Sequence, residues 1–113
     1  MKSTVADIVE KLGLEVFAGK SGLGKPVNGG YVSDLLSDVM GNASEGDVWI
    51  TLQTHNNVVA VASLRDISAI ILVKGLKPSE ETINSAEKEG IPLLGTKERT
   101  FEMSGKLYNL IGM

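Results

Sequence analysis

Residues 46–75 read GDVWITLQTHNNVVAVASLRDISAIILVKG, and this stretch decides the fold. Asp47–Thr54 is rich in β-branched and aromatic residues, and Ala69–Val73 is apolar throughout. Both segments predict strands, and the second predicts a strand that is covered on both faces. Residues 58–64 lie between them and predict a helix, although their valine content is also compatible with a strand. The pattern continues to Gly95 and predicts a parallel sheet with crossover helices.

Further elements flank this core on both sides. We predict helices at residues 4–13, 33–40, 79–90 and 98–110, and short strands at residues 14–17, 27–32 and 91–94. In the last helix, the residues available to face the sheet are Phe101, Leu107, Leu110 and Ile111. The predicted fold class is α/β: a three-layer α/β/α single domain with a mainly parallel central sheet, spanning residues 1–113.

Asn56 and Asn57 precede the valine-rich segment, and asparagine is a preferred residue at the start of a helix. We therefore interpret residues 58–64 as a buried helix with an asparagine cap. This helix is apolar around most of its circumference, which one sheet face of a small domain does not cover. Either a second subunit covers the remainder, which predicts a homodimer, or the final helix or the N-terminal segment covers it.

The composition limits the classes of protein. The chain has 113 residues, of which 42% are hydrophobic and 22% are charged, and this is typical of one soluble globular domain. A net charge of -3 argues against a nucleic-acid surface, and the lack of cysteine excludes disulfides, zinc thiolate sites and cysteine nucleophiles. The sequence contains neither a secretory signal nor an apolar run of the ~20 residues that a membrane helix needs. We expect a cytoplasmic protein without nucleic-acid or membrane partners.

The glycine-rich segment at residues 19–26 approaches the spacing of a phosphate-binding loop, with Gly19 and Gly24-Lys25 at its ends. That motif requires a serine or threonine after the lysine, followed by a helix whose amides face the phosphates. Pro26 and a strand-like segment follow here instead. We therefore interpret the segment as a mobile surface loop.

A polar cluster follows the first core strand, and polar or glycine residues follow the next two strands. Carboxyl ends of parallel strands meet at one edge of a sheet, where ligands commonly bind. Helix-start amides, a lysine and a histidine at that edge favour a small anionic metabolite or a nucleotide. The predicted ligand-binding residues are Thr54, His55, Asn56, Asn57, Lys74, Gly75, Gly95 and Thr96. The alternative is that an asparagine merely caps the helix and His55 is solvated.

Catalysis has little support in the sequence. His55 is the only histidine, and no carboxylate stands next to it in the chain. The acidic residues are scattered and form no pattern of metal ligands. We predict no enzymatic activity, no metal site and no cofactor.

Four segments together resemble the DRTGG domain family: residues 30–36 (GYVSDLL), 46–55 (GDVWITLQTH), 69–75 (AIILVKG) and 91–96 (IPLLGT). The resemblance extends over residues 3–112. It implies an α/β/α domain similar to the N-terminal domain of HPr kinase/phosphorylase, which serves as a regulatory or assembly module without an established enzymatic activity. Stand-alone copies are similar to proteins encoded beside iron-only hydrogenases and signalling kinases. The resemblance therefore implies a signalling or hydrogenase-associated protein partner.

The residues that characterise larger family members are replaced in this chain. Those members carry a Gly-Asp-Arg-Thr turn after the first core strand and a Thr-Gly-Gly turn after the second. Here the corresponding positions hold Thr54-His55-Asn56 and Val73-Lys74-Gly75. The resemblance thus transfers no binding role of an Asp-Arg pair. The leading hypothesis is a non-catalytic regulatory or ligand-sensing module, and the alternative is a pure protein-interaction or oligomerisation module without a small-molecule ligand.

Overall fold

Strands and helices alternate along residues 3–112, the part of the chain that the computed structural model describes. The strands are β1 (Glu15–Ala18), β2 (Gly29–Val32), β3 (Asp47–Thr51), β4 (Ala69–Leu72) and β5 (Leu93–Gly95). The helices are α1 (Val5–Leu12), α2 (Leu36–Asn42), α3 (Asn57–Leu64), α4 (Glu80–Glu89) and α5 (Thr100–Ile111). The ends of the predicted domain 1–113, residues 1–2 and 113, lie outside the described residues.

These strands form a sheet in the order β1-β5-β4-β3-β2. Strands β2, β3, β4 and β5 run parallel, whereas β1 pairs with β5 in the antiparallel direction. Strand β4 lies in the middle of the sheet and all its residues are buried, as its continuous apolar sequence predicts. The prediction of a mainly parallel central sheet is confirmed.

Helices cover both faces of the sheet. Helices α2, α3 and α4 pack on one face, against a core that includes Trp49 and Ile70. Helices α1 and α5 pack on the other face, against a core that includes Ile50 and Ile71. Successive side chains of a strand point to opposite faces, so adjacent apolar residues of β3 and β4 supply both cores. The three-layer α/β/α prediction is confirmed.

Local hydrogen bonds determine where α1 and α4 begin and end. The Thr4 hydroxyl accepts a bond from the Asp7 amide, and the Asp7 carboxylate accepts one from the Thr4 amide at 2.9 Å, which forms a capping box. Gly13 ends α1 in the left-handed conformation. Ser79 and Gly90 serve as the corresponding ends of α4. All these ends agree with the sequence prediction.

Helix α2 begins at Leu36, later than the predicted start at Ser33. The Ser33 hydroxyl accepts a hydrogen bond from the amide two residues ahead. Asp34 Oδ1 accepts bonds from the Thr51 hydroxyl at 2.9 Å and from the Leu52 amide at 2.7 Å. These bonds hold the intervening residues in a turn across the end of β3, so the helix starts only after them.

Helix α3 is covered by its neighbours in the same layer. Val58, Val59 and Ala62 are buried, and α3 contacts both α2 and α4. From the sequence we expected a second subunit, the final helix or the N-terminal segment to cover α3. The N-terminal helix α1 and the final helix α5, however, lie on the opposite face of the sheet. The apolar circumference of α3 therefore does not require a second subunit.

Helix α5 turns one predicted core residue outward. Leu107 is 2% exposed, and Leu110 and Ile111 pack partly buried against the same core, as predicted. Phe101, however, is 86% exposed, so its predicted inward position is wrong. Phe101 precedes the buried Met103 by two positions, and at 3.6 residues per turn this places it on the opposite side of the helix.

Candidate functional site

The carboxyl ends of β3, β4 and β5 meet at one edge of the sheet. All eight predicted ligand-binding residues lie at the ends of these strands, in the turns after them or at the first residue of α3, at positions 54–57, 74–75 and 95–96. The parallel pairing therefore brings the three predicted segments to the same edge, as expected from the sequence.

The chain leaves β4 and β5 toward opposite faces of the sheet. Helix α4, which follows β4, packs in one layer, and α5, which follows β5, packs in the other. A crevice opens where successive connections diverge in this way. A cavity of about 370 Å³ lies beside this point and is called the switch-point cavity below. Its lining includes Glu15, Phe17, Lys77 and Lys97, together with the predicted residues Gly75, Gly95 and Thr96.

Strand β1 supplies an aromatic wall to the switch-point cavity. A Cβ atom on Gly95 would overlap the Phe17 ring, so only glycine permits this close approach. Lys77 Nζ lies 5.2 Å from the centroid of the ring and 3.1 Å from Glu15 Oε1. The sequence prediction missed Glu15, Phe17 and Lys77 because nothing in the sequence shows that β1 lies beside β5.

The turns after β4 and β5 are tied together by their backbones. The Lys74 amide donates to the Glu98 carbonyl at 2.8 Å, and the Gly75 amide donates to the Thr96 carbonyl at 2.9 Å. Lys74 and Gly75 both adopt positive φ angles, of 62° and 70°. Since these amides are already occupied, an anion in the cavity would contact side chains and not this part of the backbone.

The turn before α3 is capped by histidine, and not by asparagine as the sequence predicts. His55 Nδ1 accepts a hydrogen bond from the Asn57 amide at 3.1 Å, whereas Asn56 caps no amide with its side chain. The next two amides, of Val58 and Val59, donate to carbonyl groups within the turn. The first amides of α3 are therefore occupied internally.

Asn56 lines a second cavity, of about 330 Å³, between α3 and α4. Its Oδ1 atom is buried without a hydrogen-bond partner among the described residues. Thr54 contacts α4 through its carbonyl, which accepts a bond from the Thr82 hydroxyl at 2.9 Å. Of the eight predicted residues, three thus share the switch-point cavity, while Asn56 lines a separate one.

The glycine-rich segment is packed against the fold, so its interpretation as a mobile surface loop is wrong. Gly19 and Gly22 are buried, and residues 20–22 form a short 3-10 helix. A Cβ atom at Gly19 would overlap the carbonyl group of Ile91. The Gly19 amide donates to the Glu87 carboxylate at 2.8 Å, and an amide that faces an anionic group is not available to a phosphate. Gly19 and Gly22 are therefore required by close packing, whereas a Cβ atom at Gly24 would meet nothing within 4 Å.

A larger groove lies at the opposite edge of the sheet, between the edge strand β2 and helix α5. It has a volume of about 1050 Å³ and is called the β2–α5 groove. Val32, Phe101 and Tyr108 line it and are 48%, 86% and 63% exposed. The sequence prediction missed this groove because it assigned Phe101 to the core.

A tyrosine and an aspartate interact at the same edge. The Tyr31 hydroxyl donates to Asp38 Oδ1 at 2.9 Å. Hydrogen bonds from Ser33 and Tyr31 hold the pKa of Asp38 below its ordinary value. The bond to Asp38 raises the pKa of Tyr31, because the neutral hydroxyl is the donor.

Neither a metal centre nor a membrane-spanning helix is found in residues 3–112. No three histidine, cysteine, aspartate or glutamate side chains of this part of the chain are grouped so that they could hold a metal ion. Its helices are too short, or too polar, to cross a bilayer.

The fold and the site define an α/β domain with a cavity at a topological switch point and an apolar groove at the far edge. The sequence model of the DRTGG domain matches residues 7–110, and the chain belongs to this family. This match confirms the resemblance seen in the sequence.

A similar fold occurs in a solved regulatory protein. The crystal structure of the CBS and DRTGG domains of the regulatory region of Clostridium perfringens pyrophosphatase, complexed with the activator diadenosine tetraphosphate, superposes with a TM-score of 0.72. The two sequences are 22% identical. The match covers 93% of this chain and 45% of that one, so the present chain corresponds to about half of the solved region. At 22% identity, this structural similarity is evidence for the fold and not for a shared function.

Proposed function

We propose that this chain is a non-catalytic regulatory module that senses a small anionic metabolite or a nucleotide in the switch-point cavity. The observation that carries the proposal is the combination of lysine side chains and an aromatic wall at the divergence of β4 and β5. Cations bind phosphate groups, and aromatic rings bind the apolar part of a ligand. The regulatory region from Clostridium perfringens, which was solved with a nucleotide activator, supports ligand sensing as a role for a protein that contains this fold.

The distribution of charge supports an anionic ligand. Lys77 is already paired with Glu15, but Lys74 and Lys97 make no ion pair with another described residue. A second acidic residue of the cavity lining, Glu98, is paired with Lys106 of α5 at 2.6 Å. A phosphorylated ligand would therefore meet two unpaired positive charges at this edge of the sheet.

The turn at residues 54–57 supplies a proposed second contact. Neighbouring strands are about 4.8 Å apart, so the ends of β3 and β5 are separated by about 10 Å. His55 is exposed, and its Nδ1 accepts a backbone bond, which leaves the proton of the neutral ring on Nε2. That N–H is a donor available to a ligand that extends out of the cavity. We therefore extend the proposed site from the switch-point cavity to this turn. Its proposed contacts remain the eight residues predicted from the sequence: Thr54, His55, Asn56, Asn57, Lys74, Gly75, Gly95 and Thr96.

The test is calorimetric titration and thermal denaturation with AMP, ATP and diadenosine tetraphosphate as probes. A ligand that binds only the folded state adds ~2.7 kcal/mol to the free energy of unfolding at a hundredfold excess over its Kd. We expect Lys97→Ala to weaken binding by about tenfold or more, because it removes a charge-assisted contact. Lys88→Ala removes another exposed lysine, in the last turn of α4, and should leave the Kd unchanged.

The outcomes are separable. If none of the three probes shifts the melting temperature, an adenine nucleotide is not the ligand. If a probe binds and Lys97→Ala and Lys88→Ala have equal effects, the location of the site is wrong. His55→Ala tests the second contact independently, because an unchanged Kd in that variant would confine the ligand to the cavity.

The β2–α5 groove favours a second candidate function, protein interaction or oligomerisation without a small-molecule ligand. Exposed aromatic side chains that line one groove are typical of protein interfaces. This candidate includes the homodimer and the signalling or hydrogenase-associated partner that the sequence predicts, and a cytoplasmic location suits both functions. A chain that binds none of the probes but has twice its monomer mass in solution would favour it.

A further inference from the structure

One face of α5 has a composition that the fold of a single chain does not explain. Phe101, Ser104, Gly105 and Tyr108 occur at positions i, i+3, i+4 and i+7, so they lie on the same side of the helix. Gly105 has no positive φ angle, and a Cβ atom placed on it would meet nothing within 4 Å. Glycine weakens a helix relative to alanine, and here the rest of the chain does not need the space. A gap between two exposed aromatic residues is suited to the close approach of another chain.

The strand beside this face is an edge that is open to contact. Strand β2 pairs with β3 on one side, and on its other side no strand of the described residues pairs with it. Its sequence is Gly29-Gly30-Tyr31-Val32, without the charged residue or proline by which proteins commonly protect an edge. Gly30 faces α5, because a Cβ atom there would lie 3.3 Å from Leu107. The wall of the β2–α5 groove that β2 forms is therefore uncharged.

We propose that the β2–α5 groove is the self-association face of this chain, and that α5 of a second copy lies antiparallel along it. A two-fold axis between Ser104 and Gly105 would bring Phe101 of each copy opposite Tyr108 of the other, since these residues are symmetric about that point. The small residues at the centre permit close packing of the two helices. This proposal deepens the second candidate function, because it names the face of the homodimer, and it does not depend on the ligand.

Area and charge identify a second copy as the occupant. Aromatic side chains contribute about 150–250 Å² each, so Phe101 and Tyr108 at their observed exposures present on the order of 300 Å², to which the exposed part of Val32 adds. A stable interface buries about 800 Å² per partner, so the walls of the groove and the edge of β2 would have to supply the remainder. The four residues of the helix face are uncharged. The charged residues that line the groove are Asp47, which is 8% exposed, and Glu102 and Lys106, which are paired with Arg99 and Glu98. Two copies of a chain with a net charge of -3 can therefore meet along the uncharged helix face without placing unpaired like charges opposite each other.

The test is the dissociation constant of the homodimer, measured by sedimentation equilibrium. Phe101→Ser removes an aromatic contact, and Gly105→Gln fills the central gap with a good helix former. We expect each substitution to raise the dissociation constant by about tenfold or more. The matched control is Leu64→Ser on α3, which removes a 68% exposed leucine on the opposite face of the sheet and should change nothing. Circular dichroism should show that Gly105→Gln retains the helix content of the parent chain.

A parent chain that stays monomeric at about 100 µM overturns the proposal, since a specific dimer of this area has a Kd well below that value. A dimer that is weakened by Leu64→Ser as much as by Phe101→Ser also overturns it, as does a dimer indifferent to both Phe101→Ser and Gly105→Gln. The ligand titrations are repeated on Phe101→Ser. Unchanged ligand affinity in that variant, with the dimer lost, separates this proposal from the proposal for the switch-point cavity.

Discussion

The two edge strands of the sheet have opposite characters. Strand β1 carries Glu15 and Phe17. Lys77 forms an ion pair with Glu15, and its ammonium group lies over the ring of Phe17. Strand β2 contains two glycines and no charged residue, and exposed aromatic side chains of α5 lie beside it. A charged, covered edge resists the addition of another strand, whereas a neutral edge permits contact with another chain. The difference suggests that a small ligand binds at the β1 edge and a protein at the β2 edge.

The direction of the edge strands explains why these surfaces differ. Strand β1 runs antiparallel to β5, so its first residues lie at the carboxyl edge, next to the turns after β4 and β5. Lys77, which follows β4, therefore meets Glu15 and Phe17 of β1. Strand β2 runs parallel to β3, and α5 crosses over it with Leu107 against Gly30. Within residues 3–112 no lysine-rich turn reaches that edge, and exposed apolar and aromatic side chains dominate its surface.

The largest expected effect is a decrease in the free energy of unfolding of the monomer when a buried residue of α5 is replaced at the β2 edge. Leu107→Ala removes a buried side chain that packs on β2, and large-to-small substitutions of this kind cost about 2–5 kcal/mol. Phe101→Ala removes a larger but exposed side chain and should change the stability of the monomer by less than about 0.5 kcal/mol. Urea denaturation at low protein concentration measures both. Equal losses would contradict the assignment of opposite faces to these two residues.

The next effect concerns the β1 edge. Gly95→Ala places a methyl group on the Phe17 ring, and overpacking of this kind costs about 1–3 kcal/mol. The same change should displace β1 and weaken any ligand in the switch-point cavity. Gly24→Ala is the control, because a Cβ atom there meets nothing within 4 Å. If denaturation shows the two variants to be equally stable, the close contact between Gly95 and Phe17 is not a constraint on the fold.

The smallest effect is a pH dependence at the β2 edge. The pKa of Asp38 is lowered in the folded state by hydrogen bonds from Ser33 and Tyr31, so its contribution to stability is present above the unfolded pKa of ~3.9 and is lost as pH falls through the folded value. Tyr31→Phe removes one of these bonds. We expect this variant to be less stable than the parent chain near neutral pH, with a difference that shrinks in acid. A difference that is constant from pH 7 to about pH 2 would exclude the interaction with the carboxylate as its cause.

The candidate site could be predicted only in part. The turns after β3, β4 and β5 follow apolar runs that are legible in the sequence, and parallel pairing brings them to one edge. The sequence could not show which side chain caps the start of α3, because both histidine and asparagine can accept a bond from a backbone amide. The conformation of the turn decides this, and it places His55 Nδ1, not the Asn56 side chain, on the Asn57 amide. The aromatic wall that Phe17 forms could not be predicted either, because it depends on the pairing of β1 with β5, and these strands are distant in the chain.

The sequence by itself determined the elements whose signals are local. The capping box of Thr4 and Asp7, the ends of α4 at Ser79 and Gly90, and the apolar run of β4 depend on neighbouring residues or on one continuous segment. Only the tertiary structure decided which side of α5 is buried. The apolar residues of that helix form two stripes, one with Met103 and Leu107 and one with Phe101 and Tyr108. Both stripes have helical spacing, and the packing of α5 over β2 and β3 buries the first and exposes the second.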